Sequence, residues 1–142
     1  MKYLMIAVLL FLSLEICTAQ DKEGVRFLEI GFEQAFEQAR QEGKQVFVNY
    51  STKGCAPCKM MDMSVYTNTG IAEKMNEKLI CIKLDPIKNK SLEKLAREVH
   101  QIKGFPTMLF FESNGELMSK AVGGKSVEEF NLILDEVLKK QL

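Results

Sequence analysis

"QVFVNYSTKGCAPCKMM", residues 45–61, runs from an apolar stretch into two cysteines separated by Ala56 and Pro57. Residues 45–50 are almost continuously apolar, as in a strand buried on both faces of a sheet. A helical stretch is expected from about Cys58, broken near "YTNTG" (66–70) and resumed to about Lys78. A strand, a tight Cys-x-x-Cys and a helix suit two chemistries. One passes electrons by thiol–disulfide exchange. The other grips a metal, and Met60, Met61 and Met63 add soft sulfur that Cu(I) would accept. Core packing on a helix that must bury a face is the plainer reading of at least two of these methionines.

The pattern continues in both directions. "VRFLEI" (25–30) alternates and reads as a strand. Phe32, Ala35, Phe36 and Ala39 then fall on one helical face. "LICIKL" (79–84) is a second buried strand and holds Cys81, read as an inert core thiol. Leu92, Leu95, Ala96 and Val99 repeat the helical spacing, and His100 ends that helix. "TMLFFE" (107–112) and "LMSKAV" (117–122) flank "SNG" (113–115), a hairpin signal. Ser126 and Glu129 form a capping box that opens a last helix with Phe130, Ile133, Leu134 and Val137 inside. The order is β-α-β-α-β-α-β-β-α. It predicts an α/β fold: a central mixed sheet with helices on both faces, parallel where helices intervene and antiparallel in the final hairpin. The cysteines then lie at the carboxyl end of a central strand, where open α/β sheets place their sites.

The 142-residue chain suffices for one domain, and its formal net charge of zero gives no basic excess of the kind that nucleic-acid binding uses. Residues 1–19 have Lys2, an apolar run from Tyr3 to Leu14 and small residues at Cys17 and Ala19, the layout of a cleaved secretory signal peptide. Lipid attachment at Cys17 is disfavoured by the preceding Leu14-Glu15-Ile16. Residues 20–142 would form the single mature domain, in the periplasm or outside the cell. Paired thiols tend to oxidise there. The mature chain keeps Cys55, Cys58 and Cys81, a close pair and a leftover rather than a multi-bridge scaffold.

A disulfide exchanger needs one accessible thiol that ionises easily and a second behind it. The unpaired N–H groups and partial positive charge at a helix N-terminus supply the first condition. A cysteine there often has a pKa of ~3.5–7.5. Cys55 takes that position, with Lys53 and Lys59 flanking, and Cys58 follows one turn later, within reach of a mixed disulfide. Pro57 is tolerated in a first turn. A purely structural bridge would gain little from so small a loop. Tetrahedral zinc would need a second ligand pair, and none stands nearby in sequence. Pro106, in "KGFPTMLFF", marks the start of a strand. In cis geometry it would present Phe105 and its backbone as an edge for an extended peptide.

"FVNYSTKGCAPCKMM", "IKLD", "IKGFPTMLFF" and "VGG" occur in the order and approximate spacing of thioredoxins. From about Val25 to Leu142 the chain resembles secreted bacterial thioredoxin-like proteins. The resemblance implies a thioredoxin fold, Cys55 as nucleophile, Cys58 as resolving thiol and Pro106 in cis, with Phe105 and Gly123 lining the substrate groove beside Ala56 and Pro57. It implies a redox-active Cys55–Cys58 disulfide and no other cofactor or metal. The partners implied are disulfide-containing client proteins and a membrane thiol/disulfide electron donor, with the protein a monomer. The dipeptide between the cysteines resembles that of reductants more than oxidants.

Three positions depart from the family pattern. Gly54 stands where the family usually has Trp, Ala56 where Gly is frequent, and Asn49 where many thioredoxins bury an acid. Asn49 cannot take a proton, so the proton of Cys58 is expected to leave through water or another group. Lys83 matches a lysine often near that acid. A Cu(I)-binding metallochaperone and a non-catalytic peptide-binding module are the alternative functions.

Overall fold

The computed structural model describes residues 24–88 and 90–139. The expected leader, residues 1–19, lies outside the described residues. Five strands form one sheet: β1 (Phe27–Leu28), β2 (Gln45–Tyr50), β3 (Leu79–Leu84), β4 (Thr107–Phe111) and β5 (Leu117–Val122), in the spatial order β1-β3-β2-β4-β5. The helices are α1 (Phe32–Glu42), α2 (Ala56–Met60, continued by a π turn over Met61–Val65), α3 (Thr69–Lys78), α4 (Lys90–Lys94, continued by a π turn over Leu95–Val99) and α5 (Val127–Lys139). This is the expected α/β mixed sheet.

Every residue of β2 is buried. The alternation of its side chains therefore feeds two cores. Phe47 points into one with Met61, Val65 and Tyr66, the α3 residues Ile71 and Met75, and Phe130 of α5. Val46, Val48 and Tyr50 point into the other, with Ala35, Phe36 and Ala39 of α1 and Ala96 of α4. At roughly 25 cal/mol per Å² of apolar surface removed from water, such two-sided burial is the main force holding β2 in the centre.

Local signals act where expected. Gly43 ends α1 in the left-handed conformation (φ 65°), which glycine adopts without a side-chain clash. Asn68 caps α3 by accepting the Ile71 N–H at 3.2 Å. Ser126 and Glu129 form the reciprocal box at the start of α5, at 2.8 and 3.2 Å.

Four expectations are corrected. The first strand is only Phe27–Leu28, not 25–30, because it is an edge strand paired through two register positions with β3. The helix after β2 begins at Ala56, two residues earlier than expected, because Cys55 itself caps it. Val99 is exposed: the π turn fits five residues where periodicity assumes 3.6, which rotates the last residue out of the packed face. The strands separated by α4 do not all run parallel. β4 pairs antiparallel with β2, Tyr50 opposite Thr107. The chain leaves β3 and re-enters at β4 on the same end of the sheet, so the α4 segment never completes a parallel crossover. That pairing decides the site. It brings the loop after Tyr50, with the cysteines, and the loop before Thr107, with Pro106, to one end of the sheet.

Candidate functional site

The chain leaves the sheet at Tyr50, turns through a Cys55 N–H to Thr52 carbonyl bond of 3.2 Å, and enters α2. Cys55 is the N-cap: its backbone is extended and its Sγ accepts the Cys58 N–H at 3.2 Å. The two cysteines are joined as a disulfide. Cys55 is partly exposed, whereas Cys58 is 3% exposed. One sulfur thus meets solvent at a helix start, and its partner sits behind it under the helix. Pro57 lies in the first helical turn, where its missing N–H costs no hydrogen bond.

The Phe105–Pro106 peptide bond is cis. Pro106 is buried and Phe105 half-buried against the core that contains α1 and α4. The Pro106 carbonyl accepts the Gly123 N–H at 2.8 Å. Gly123 has φ 83°, a conformation suited to glycine. The next residue, Gly124, comes so close to the cysteine loop that a Cβ there would lie 3.1 Å from Pro57 Cβ. Gly123 and Gly124 therefore bridge the proline loop and the cysteine loop. Lys125 pins this turn: its Nζ donates to the carbonyls of Val122 at 2.7 Å and Gly123 at 3.2 Å. Sequence reasoning singles out only the first glycine of "VGG" and misses Gly124 and Lys125.

On the other side of Cys58 lies an open cleft of about 340 Å³, lined by Cys58, Lys59, Asp62 and Lys83 among others. Lys83 forms an ion pair with Asp62 and also sits 4.3 Å from the centre of the Phe27 ring. Asn49 is opposite Lys83 in the β2–β3 register and is 1% exposed, with an Oδ1 that has no hydrogen-bond partner among the described residues. The Asn49 amide is therefore buried without full hydrogen bonding among the described residues. Asp62 escapes sequence reasoning. Its position four residues after Cys58, on the same side of a helix, is the available signal.

One other expectation changes. Met61 is 1% exposed and packs in the core, but Met60 and Met63 are 66% and 78% exposed. Only one of the three methionines is a core residue, because a helix lying on a sheet buries one stripe and positions 60 and 63 fall outside it. His100 ends α4 as expected and is half-buried. Its Nδ1 is 2.7 Å from Tyr50 Oη, and burial, with Lys120 adding to it, holds the imidazole pKa below the usual histidine value. Burial pushes the Tyr50 phenol up, so Tyr50 keeps its proton beside the imidazole. Cys81 is a buried free thiol, its pKa pushed up by burial. Gly54 is exposed and a Cβ there would meet nothing within 4 Å, so the position has room for a side chain. Ala56 and Lys59 are exposed on the same helix start. No group of three or more His, Cys, Asp or Glu side chains could hold a metal ion among the described residues.

Curated relatives include the thiol:disulfide interchange protein DsbD of Pseudoalteromonas atlantica, 27% identical over 99 residues, which cover 70% of this chain and 16% of that protein. DsbD of Campylobacter jejuni is 29% identical over 110 residues, covering 77% of this chain and 18% of that one. The chain thus spans less than a fifth of the length of these two relatives. Among solved structures, a candidate disulphide-isomerase from Bacteroides thetaiotaomicron superposes with a TM-score of 0.69 at 29% identity, covering 82% of this chain and 93% of that one. A thioredoxin from Thermus thermophilus shares the fold at a TM-score of 0.69 and 19% identity, covering 81% and 88%. The profile of the thioredoxin-like domain matches residues 32–138, three quarters of the sequence and all of the site, and the chain belongs to that family.

Proposed function

We propose that the protein is a thiol–disulfide oxidoreductase that reduces disulfides in client proteins outside the cytosol. The observation that carries this reading is the asymmetric pair: an accessible Cys55 capping a helix, disulfide-bonded to a buried Cys58. In the dithiol form the Cys55 thiolate attacks one sulfur of a client disulfide. The S–S bond breaks and the departing client thiolate takes a proton. Cys58 then loses its proton and attacks Cys55 Sγ, which expels the second client thiol and leaves the Cys55–Cys58 disulfide. Two electrons have passed to the client, and a thiol/disulfide donor at the membrane returns them. Secretion by the leader at residues 1–19 puts the protein where such clients occur.

The buried Asn49 cannot receive the Cys58 proton. Two acids share a cleft with Cys58, Asp62 and Asp85; Asp62, one helical turn from Cys58 and held by Lys83, takes the proton through water in that cleft. The client lies along the cis Phe105–Pro106 edge, its backbone meeting that of the loop as an added strand would.

Insulin reduction, followed by the precipitation of its free B chain, tests the reading. The wild-type protein accelerates the reaction in the presence of a small dithiol, and Cys55→Ser removes the acceleration. A Cys55→Ser protein as active as wild type would end the proposal. The exposed thioethers of Met60 and Met63 are what a Cu(I) carrier would offer beside the cysteines. Native mass spectrometry of the reduced protein with Cu(I) decides that second reading, and a spectrum without bound copper eliminates it.

A further inference from the structure

The formal net charge of the chain is zero, yet its charge is not spread evenly. Two clefts flank the turn at Pro86–Lys88. One is the Cys58 cleft already described. The other, of about 390 Å³, is lined by Ile87, Ile102, Lys103 and Phe105 among others, and adjoins the cis peptide bond. The two linings together hold six basic side chains and three acidic ones, a surplus of three positive charges at the end of the sheet that carries the cysteines. The rest of the chain carries the compensating negative charge.

The acids of this rim are already engaged. Asp62 is paired with Lys83, and Glu93 accepts from Arg97 at 3.2 Å. Asp85 accepts the Ile87 N–H at 3.1 Å. The four other cations, Lys53, Lys59, Lys88 and Lys103, face no carboxylate within ion-pair distance among the described residues. All four are exposed. Between them lie apolar groups open to solvent, Ile87 at 77% exposure and the half-buried Phe105. A surface of unpaired ammonium groups around a small apolar floor is complementary to a chain that alternates carboxylates with apolar side chains.

We infer that this rim is a docking surface for acidic polypeptide flanking the client disulfide, so that the protein selects disulfides set among Asp and Glu. The inference rests on the redox reading of the site and names its client class. Carboxylates of the client pair with Lys103 on one side of the turn and with Lys53, Lys59 and Lys88 on the other. An apolar client residue covers Ile87 and Phe105. Most of the effect is in the rate of encounter, because exposed charges steer association and are screened by salt.

The test uses two disulfide-bridged peptides that differ only in carrying Asp and Glu or Lys and Arg around the bridge, with uncharged hydroxyethyl disulfide as a third substrate. The acidic peptide should be reduced roughly tenfold faster than the basic one at low ionic strength, and the gap should close as salt is raised. The double variant Lys88→Glu/Lys103→Glu should abolish or invert that preference and leave the hydroxyethyl disulfide rate unchanged. Equal rates on the two peptides at low salt, with hydroxyethyl disulfide still reduced, overturn the inference and leave the redox reading standing. Equal rates together with binding to phosphatidylglycerol vesicles assign the rim to lipid and overturn it too. If none of the three disulfides is reduced, the redox reading and the inference fall together.

Discussion

Two helices of this protein contain the same irregularity in opposite settings. In α2 the Tyr66 N–H reaches back five residues to the Met61 carbonyl at 2.9 Å, and in α4 the His100 N–H reaches the Leu95 carbonyl at 3.0 Å. The π turn of α2 is driven into the core: Cys58, Met61 and Val65 are all buried, and Phe47, Tyr66 and Phe130 pack around them. The π turn of α4 rides on the surface, with Ala96 its one buried residue and Val99 turned outward. The segment after α4 adds polar contacts to the half-buried Ile102 and Phe105. Tyr50 bonds His100, and Lys120 Nζ donates to the carbonyls of His100 and Gln101 at 2.8 and 3.1 Å. The cysteine half of the site thus rests on fully buried apolar packing, and the segment leading to Pro106 combines hydrogen bonds with half-buried apolar contacts. The two halves should respond to different perturbations.

The largest expected difference is in stability. Met61→Ala removes a fully buried side chain beneath the cysteine helix and should cost about 2–5 kcal/mol in urea unfolding. Leu95→Ala, at a half-buried position of the other helix, should cost about 1 kcal/mol. Equal losses would break the comparison. Next comes the proton path of the anchored half. Asp62→Asn should slow reduction of a client disulfide by roughly one to two orders of magnitude. Adding Asn49→Asp to that variant should restore part of the rate and change its pH profile. An Asp62→Asn rate equal to wild type would remove Asp62 from the mechanism.

The smallest effect belongs to the polar half. The folded pKa of His100 lies below its unfolded value, chiefly through burial, so the unfolded chain binds the proton more readily. The neutral imidazole's share of stability is complete above the unfolded pKa of about 6.5 and is lost as pH falls from there to the folded value. A fall in the urea midpoint between pH 7.5 and 5.5 should shrink in His100→Asn. A variant with the wild-type pH dependence would show that the proton binds elsewhere.

Much of the fold is legible in the chain, and the misses share a cause. Residues 45–50 read as a central strand because a short, β-branched and aromatic run just before the cysteines suits burial on both faces of a sheet. Cys55, Cys58 and Pro106 stand out because their chemistry restricts where they can sit. Local patterns do not report which end of the sheet a connection returns to. They therefore miss the antiparallel β2–β4 pairing, and with it the reason the two loops meet. Nor does a 3.6-residue period anticipate a π turn, which is why it misplaces Val99. Asp62 is passed over because its importance comes from Lys83, a residue of β3 that only the fold brings near.

Cys81 takes no part in the exchange, yet its place has a practical consequence. It lies in β3 in the core beneath α3, is 1% exposed, and has its pKa raised by burial. A thiol-specific alkylating reagent can reach it only when the central sheet opens. In the oxidised protein, where Cys55 and Cys58 are masked by their own bond, Cys81 is the one free thiol among the described residues. The slow appearance of its adduct would therefore time whole-domain opening events, a built-in clock for comparing the stability of the oxidised and reduced forms.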